Sequence, residues 1–213
     1  SLLTSSNVYN AADQLLASVD SLGLVTSYSY PNYARDTVTV RPGGLTNVVE
    51  QYLDGQEKCT RENGVIRTWR DYGVNADGTQ WEIAYTGPVG AGSPMWVKTT
   101  KDFLGRPLRE ERPAFSSVPS AQSVVTNTFF YNSKNHLIKT QVSGFSFPPS
   151  ASLFVYDDIG SRILSGLDVN GNGDLDLAGP DRVTGSETFY EQDASNDWNY
   201  LTVSTLYPLN DAS

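Results

Sequence analysis

The sequence predicts an all-β protein assembled from antiparallel hairpins, and three observations carry that expectation. Apolar residues recur at period two, the spacing that places alternate side chains on one face of a strand. Turn residues punctuate the chain at short intervals. Aromatic residues, tyrosine above all, stand just ahead of many of those turns.

Taken from the amino end, the first ambiguous segment is Ala11–Val19. Leu15, Leu16 and Val19 would suit a short helix capped by Asn10, but Gly23 and the strand-rich flanks favour a turn and a return strand. Strand-like runs follow at Ser27–Tyr30, Val38–Val40, Asn47–Tyr52, Ile66–Tyr72 and Trp81–Tyr85. They continue at Val97–Lys101, Val124–Tyr131, Leu137–Val142, Ser152–Tyr156, Glu187–Tyr190 and Leu201–Thr205. Between them lie Pro31-Asn32, Pro42-Gly43-Gly44, Asp54-Gly55, Asn63-Gly64, Asp77-Gly78, the stretch from Gly90 to Pro94, Pro148-Pro149 and Asn170-Gly171. Asp-Gly and Asn-Gly suit tight hairpins because both residues tolerate positive φ. The Ser/Pro-rich stretches Phe115–Gln122 and Gly144–Ser152 read as long hairpin loops.

Composition narrows the function classes. The chain has 213 residues and no linker-like shift in composition, so one β domain over 1–213 is expected. It opens at Ser1 without a leader, as a processed chain or a fragment of a larger protein would. Fifteen basic residues stand against 24 acidic ones, a net charge of −9 that repels a phosphate backbone and argues against nucleic acid. No apolar run approaches the ~18 residues of a membrane helix. A single cysteine, Cys59, excludes an internal disulfide, and a single histidine, His136, excludes metal sites with several His ligands.

A repeat emerges from the aromatic residues. Tyr156-Asp157-Asp-Ile-Gly160-Ser-Arg162 and Lys101-Asp102-Phe-Leu-Gly105-Arg106 share an Asp, two variable residues, Gly and an Arg. Tyr9-Asn10 begins a longer copy, and weaker ones begin at Tyr52-Leu-Asp54-Gly55 and Tyr131-Asn132. Asp or Asn after a strand bonds its own backbone and starts a turn, while Gly supplies positive φ. Leu15, Leu108, Leu137 and Ile163 would then open return strands, with Gly105 and Gly160 in equivalent turns and each aromatic ring stacked on its counterpart one repeat along.

These copies resemble the tyrosine–aspartate (YD) repeat of the RHS family. That resemblance implies a spiralling β-sheet that forms a hollow shell around a toxin or around the carboxy-terminal part of the same polypeptide, or else a cell-surface adhesion protein. It implies neighbouring repeats of the same parent chain as partners, an enclosed cargo, and an extracellular or cell-surface location. The family's terminal core, with its Asp-Pro-x-Gly region and self-cleaving aspartate site, has no match here, so neither autoproteolysis nor toxin activity carries over.

One segment suggests a ligand. Asp168, Asn170, Asn172, Asp174 and Asp176 alternate with other residues around Gly173, and Asp181 follows. Hard oxygens at alternate positions resemble a calcium loop. Gly179 stands where an EF-hand carries Glu, and no helices flank the loop, so Asp181 would have to supply the missing carboxylate. The plain reading of the same residues is a polar, glycine-rich turn.

The other chemistry-bearing residues point less far. His136 reads as an exposed turn residue and Cys59 as a half-buried thiol, although Lys58 and Arg61 would favour its thiolate. Glu110-Glu111 and Asp157-Asp158 point to opposite faces if they lie on strands, which argues against paired glycosidase acids. Trp69, Trp81, Trp96 and Trp198 read as sheet-face packing, or alternatively as a sugar platform. The expectation is a non-catalytic shell or adhesive scaffold, with a carbohydrate-binding β-domain as the alternative.

Overall fold

The computed structural model describes residues 5–88, 93, 95–114, 124–144 and 150–207. These form sixteen strands, all antiparallel to their partners, and in the sheet the strand order is the chain order. The chain divides into two units, Ser1–Lys98 and Thr99–Ser213. The first contains β1 (Ser6–Tyr9), β2 (Leu15–Val19), β3 (Val25–Ser29), β4 (Asp36–Val40), β5 (Thr46–Gln51), β6 (Glu57–Glu62), β7 (Thr68–Val74) and β8 (Gln80–Thr86). The division falls within β9 (Trp96–Lys101). The second unit continues with β10 (Pro107–Pro113), β11 (Val124–Tyr131), β12 (Leu137–Ser143), β13 (Ser150–Tyr156), β14 (Arg162–Asp168), β15 (Arg182–Gln192) and β16 (Trp198–Tyr207). The segment after Asn10 is a strand, not a helix. The expected loop Phe115–Gln122 lies outside the described residues, as do most of 89–94 and the 145–149 part of the loop expected over Gly144–Ser152; Ser150, Ala151 and Ser152 belong instead to β13.

Nine connections close in one way. The first residue of a five-residue turn donates its N–H to the fifth carbonyl and accepts the fourth N–H at its own carbonyl; this occurs at Asn10, Asp20, Arg41, Tyr52, Asn75, Asp102, Asn132, Asp157 and Asp193. The fourth residue always has positive φ, between 59° and 93°. Gly105 and Gly160 both hold that place, so they do occupy equivalent turns. A left-handed residue after a type I turn makes a bulge. The register accordingly slips by one residue beside Tyr9, Gln51, Tyr131 and Tyr156.

Sequential order sorts the connections by end. Within each unit, turns from an odd to an even strand lie at one end of the sheet, and seven of the eight are the stereotyped five-residue form. The exception, Pro31–Arg35, carries three consecutive positive φ values at Asn32, Tyr33 and Ala34. Connections at the other end vary freely, and the span 169–181 between β14 and β15 is the longest, at thirteen residues.

Little of this sheet is covered: among the described residues the buried apolar ones are few, Cys59, Val125, Ala151, Leu153 and Val183. In the second unit Ala151, Leu153 and Val183 gather where the 169–181 span folds back. Leu153 pairs with Gly166, and Gly166 with Val183. A Cβ on Gly166 would stand 2.6 Å from the Arg182 carbonyl oxygen and 3.0 Å from Leu175 Cδ2. That glycine lets the span lie against the strand.

Gly166→Ala is therefore expected to destabilise the protein by about 1–3 kcal/mol through overpacking, read as a lower urea midpoint. Gly171→Ala, where an added Cβ meets nothing within 4 Å, should cost only the strain of its positive φ.

Candidate functional site

The groups that a sequence reading would assign to chemistry are built into the turn end of the sheet. In six of the nine turns the first residue is an Asp or Asn whose Oδ1 accepts the N–H of the third and fifth residues. At Asp102 these come from Leu104 and Arg106, at Asn132 from Lys134 and His136, and at Asp157 from Ile159 and Ser161, all at 2.8–3.1 Å. Asn10, Asp20 and Asp193 do the same. Such a side chain satisfies the two turn N–H groups that no strand reaches.

Tyrosine ties one turn to the next. The Tyr131 hydroxyl donates to the Pro107 carbonyl at 2.9 Å, and Tyr156 donates to Leu137 at 3.0 Å. In the first unit Tyr30 donates to Leu15 at 2.9 Å. Each of these three acceptors is the sixth residue counted from the start of an odd-to-even turn, so β2, β10 and β12 are caught at their first residue by a tyrosine at the end of the odd strand that follows; Tyr52 instead donates to the Arg70 carbonyl of β7 at 3.0 Å. Of the expected ring contacts between tyrosines one repeat apart, Tyr52 meets Tyr72 edge-on at 6.1 Å, whereas the Tyr131 and Tyr156 rings meet other partners. Arg106 lies over the Tyr131 ring at 4.6 Å, and the His136 ring lies 4.7 Å from that of Tyr156. The same Arg106 holds Asp102 Oδ2 and reaches Asn135 Oδ1 of the next turn at 2.6 Å. Lys134 reaches the Asp158 carbonyl one turn further on, at 3.3 Å. His136 is thus a packed side chain between turns, not an exposed one.

Charge states follow from these contacts. Burial pushes the Asp102 carboxyl up, but hydrogen bonds from the Arg106 backbone and guanidinium and from Leu104 outweigh it, and the group sits below the usual carboxylate range. Asp193 is lowered by the N–H groups of Asp197 and Ser195. Burial raises the Tyr131 hydroxyl. Tyr52, desolvated and bonded to Asp71, is pushed up to about 12. These hydroxyls therefore remain donors across the physiological range.

Other candidates lose their chemistry in the fold. Cys59 is buried, and desolvation with the Glu50 charge raises its pKa despite Arg61, the opposite of an activated thiol. Glu111 pairs with Arg109, and Glu110 accepts from Asn127. Trp69, Trp81 and Trp96 are half-buried while Trp198 is exposed, so the four do not share one environment. Trp81 fills the space above Gly73, where a Cβ would meet its ring at 2.4 Å.

The span after β14 brings its polar residues together around two buried carboxylates. Asp168 accepts the N–H groups of Gly171 at 2.6 Å and Gly173 at 3.0 Å. Asp181, 1% exposed, accepts those of Val169 at 2.8 Å and Asp176 at 2.9 Å. Asn170 and Asn172 both donate to Asp176 Oδ2. Asn172 Oδ1 accepts the Asp174 N–H, and no side-chain contact of Asp174 joins this knot. No three His, Cys, Asp or Glu side chains stand close enough together to hold a metal among the described residues. No helix of the described residues is long and apolar enough to cross a membrane.

Fold and site together define a repeat sheet whose hairpins are locked by Asx turns and tyrosine ties. No family model matches the sequence, and no curated protein matches it. Solved structures that resemble it include the crystal structure of TcdB2-TccC3-Cdc42 (TM-score 0.39, 12% identity, 95% of this chain and 14% of that one). Another is the crystal structure of TcdB2-TccC3-TEV (TM-score 0.29, 10% identity, 94% and 14%). The chain spans about a seventh of the length of those chains.

The Asp181 carboxyl is lowered by the Asp176 N–H, against the opposing effect of burial, with Val169 and Asn170 N–H groups adding to the first. A depressed folded pKa gives stability that is present above the unfolded value near 4 and is lost as pH falls through the folded one. Acid unfolding should therefore steepen below about pH 4, and Asp181→Asn should flatten that limb.

Proposed function

We propose that this chain is a non-catalytic structural module of the YD-repeat kind, a segment of sheet wall or adhesive scaffold in a larger secreted or surface protein. The observation that carries this reading is the recurring tie from a tyrosine hydroxyl to the first residues of the neighbouring even strand. In the turn ladder, the carboxylates that could do chemistry are spent on backbone N–H groups, and the tyrosines on carbonyls. A sheet with so much uncovered surface suits a wall whose partners are neighbouring repeats of the parent chain and whatever cargo that wall encloses. The carbohydrate-binding alternative rests on Tyr190, Trp198 and Tyr200, all exposed on one face of β15 and β16. Because the two tyrosine rings meet at 60°, they offer no flat platform to a sugar ring.

The tie is testable directly. Tyr131→Phe and Tyr156→Phe should each lose about 0.5–1.5 kcal/mol of stability, measured by urea unfolding, with the secondary structure unchanged. No loss in either variant would remove the support for a tied repeat. A glycan array should show no binding that Trp198→Ala abolishes.

Calcium belongs to the same proposal as a stabiliser of the 168–181 span. Asp168, Asn170, Asn172, Asp174, Asp176 and Asp181 supply hard oxygens at the right spacing, and each carboxylate oxygen of Asp168 retains a second lone pair beyond its N–H bond. A bound cation would replace the two amide donors on Asp176. Millimolar calcium should raise the melting temperature by mass action, and Asp168→Ala should lose the increment. Equal melting in calcium and in chelator would leave the span as a turn only.

A further inference from the structure

The chain contains three Asn-Gly pairs, Asn63-Gly64, Asn170-Gly171 and Asn172-Gly173, and the fold holds them differently. In such a pair the glycine backbone nitrogen can attack the side-chain amide before it, because no Cβ shields the approach. The attack needs an amide free to swing and a glycine N–H that nothing else engages. Two of the pairs meet neither condition. The Gly171 N–H donates to Asp168 Oδ1 at 2.6 Å and the Gly173 N–H to Asp168 Oδ2 at 3.0 Å. The Asn170 and Asn172 amides both donate to Asp176 Oδ2, and their Oδ1 atoms accept the N–H groups of Asn172 and Asp174. The negative charges of Asp168 and Asp176 also oppose deprotonation of an amide nitrogen beside them.

Asn63 stands in the opposite condition. Its turn, between β6 and β7, is closed by the Val65 N–H donating to the Glu62 carbonyl at 3.1 Å, with Gly64 at φ 78°. A turn closed in that way makes no use of the glycine N–H. Among the described residues, neither the Gly64 N–H nor the Asn63 side chain has a hydrogen-bond partner, and both residues are exposed. The local charge differs as well. Asn63 and Gly64 line a cavity of about 320 Å³ with Arg61, Glu62 and Arg67. Arg61 is paired with Glu50 and Glu62 with Arg41, whereas Arg67 makes no ion pair among the described residues. The charge left over is positive, which favours the anion that forms on attack.

We propose that Asn63 is a site of spontaneous deamidation in the folded protein, while Asn170 and Asn172 are shielded from the same reaction. The Gly64 nitrogen bonds to Asn63 Cγ and gives up its proton, the Cγ–Nδ2 bond breaks, and ammonia leaves with that proton, closing a five-membered imide. Water then opens the ring. Attack at Cγ leaves aspartate, and attack at the main-chain carbonyl leaves isoaspartate, whose backbone runs through Cβ and Cγ. Either product places a negative charge in the cavity beside Arg67. Isoaspartate also lengthens the connection between β6 and β7, which pair only at Cys59 with Trp69 and at Thr60 with Thr68. The inference is independent of the repeat reading, since it uses only the two loops.

Ageing the native protein in mildly alkaline buffer with chelator, then digesting it briefly with trypsin at mildly acidic pH for mass spectrometry, tests the proposal. Cleavage after Arg61 and Arg67 isolates residues 62–67, and cleavage after Arg162 and Arg182 isolates 163–182. The 62–67 peptide should gain the mass of an amide NH₂ replaced by OH and split into two product peaks, aspartate and isoaspartate. The 163–182 peptide should convert about tenfold more slowly or less, because each site there must first open several hydrogen bonds. In urea the difference should vanish. Asp168→Ala, which removes both glycine acceptors, should speed conversion of 163–182 and leave that of 62–67 unchanged. Equal rates in the folded native protein overturn the proposal, and so does faster conversion of 163–182. A 62–67 segment that stays intact in the folded protein while the urea-unfolded protein converts also overturns it.

Discussion

The hydrogen bond from a tyrosine hydroxyl to the carbonyl at the start of the neighbouring even strand is the contact on which the rest of this sheet depends. Strand register is set where one face is buried, because a one-residue slip would turn every apolar side chain outward. Here few side chains are buried, so that control is weak over much of the sheet. Register must come from the turn end instead. The five-residue turn fixes seven of the eight hairpins internally, and Tyr30, Tyr131 and Tyr156 fix theirs against the hairpin before. Arg106 strengthens the same joint, since one guanidinium serves Asp102 in its own turn, Asn135 in the next and the ring of Tyr131.

Much of this is legible in the sequence, and the reasons are specific. Gly105 and Gly160 can be matched because glycine at a fixed offset from Asp marks a left-handed turn position and little else. Residues 124–131 and 137–142 are rich in β-branched and aromatic residues and form β11 and nearly all of β12. The Asp193 turn escapes a sequence reading because Asn196 fills the left-handed place, and the Asn75 turn because its Asn-Ala-Asp-Gly looks like a generic Asp-Gly hairpin. Charged return strands are harder still. β6, Glu-Lys-Cys-Thr-Arg-Glu, has no apolar alternation; Cys59 is its one buried residue, and Arg61 pairs with Glu50 of β5 while Glu62 pairs with Arg41 of the turn before β5.

The tyrosine itself shows where sequence reasoning stops. Its position before the turn is visible, but its acceptor is a main-chain carbonyl between 15 and 24 residues earlier. Every residue carries such a carbonyl, so no side-chain pattern marks it. Ring stacking is the natural expectation from strand spacing alone. A bulge stands beside Tyr131 and Tyr156 where they make the tie, while Tyr30 reaches Leu15 with no register slip in its hairpin. The polar span after β14 shows a similar limit. Its alternating Asp and Asn residues announce oxygen ligands, yet Leu175 resting over Gly166 gives the span a packing role that the alternation conceals.

Strict chain order within each unit has a mechanical corollary. Every strand pair joins segments adjacent along the chain, so each hairpin can form from local encounters, without waiting for a distant segment to arrive. Stability then behaves as a sum of hairpin terms and nearest-neighbour joints, as in other repeat proteins. Tension applied along the polypeptide would meet these joints in series and strip hairpins one after another. Such a material lengthens in small steps under load, dissipating energy at each one, and re-forms from any hairpin that survives.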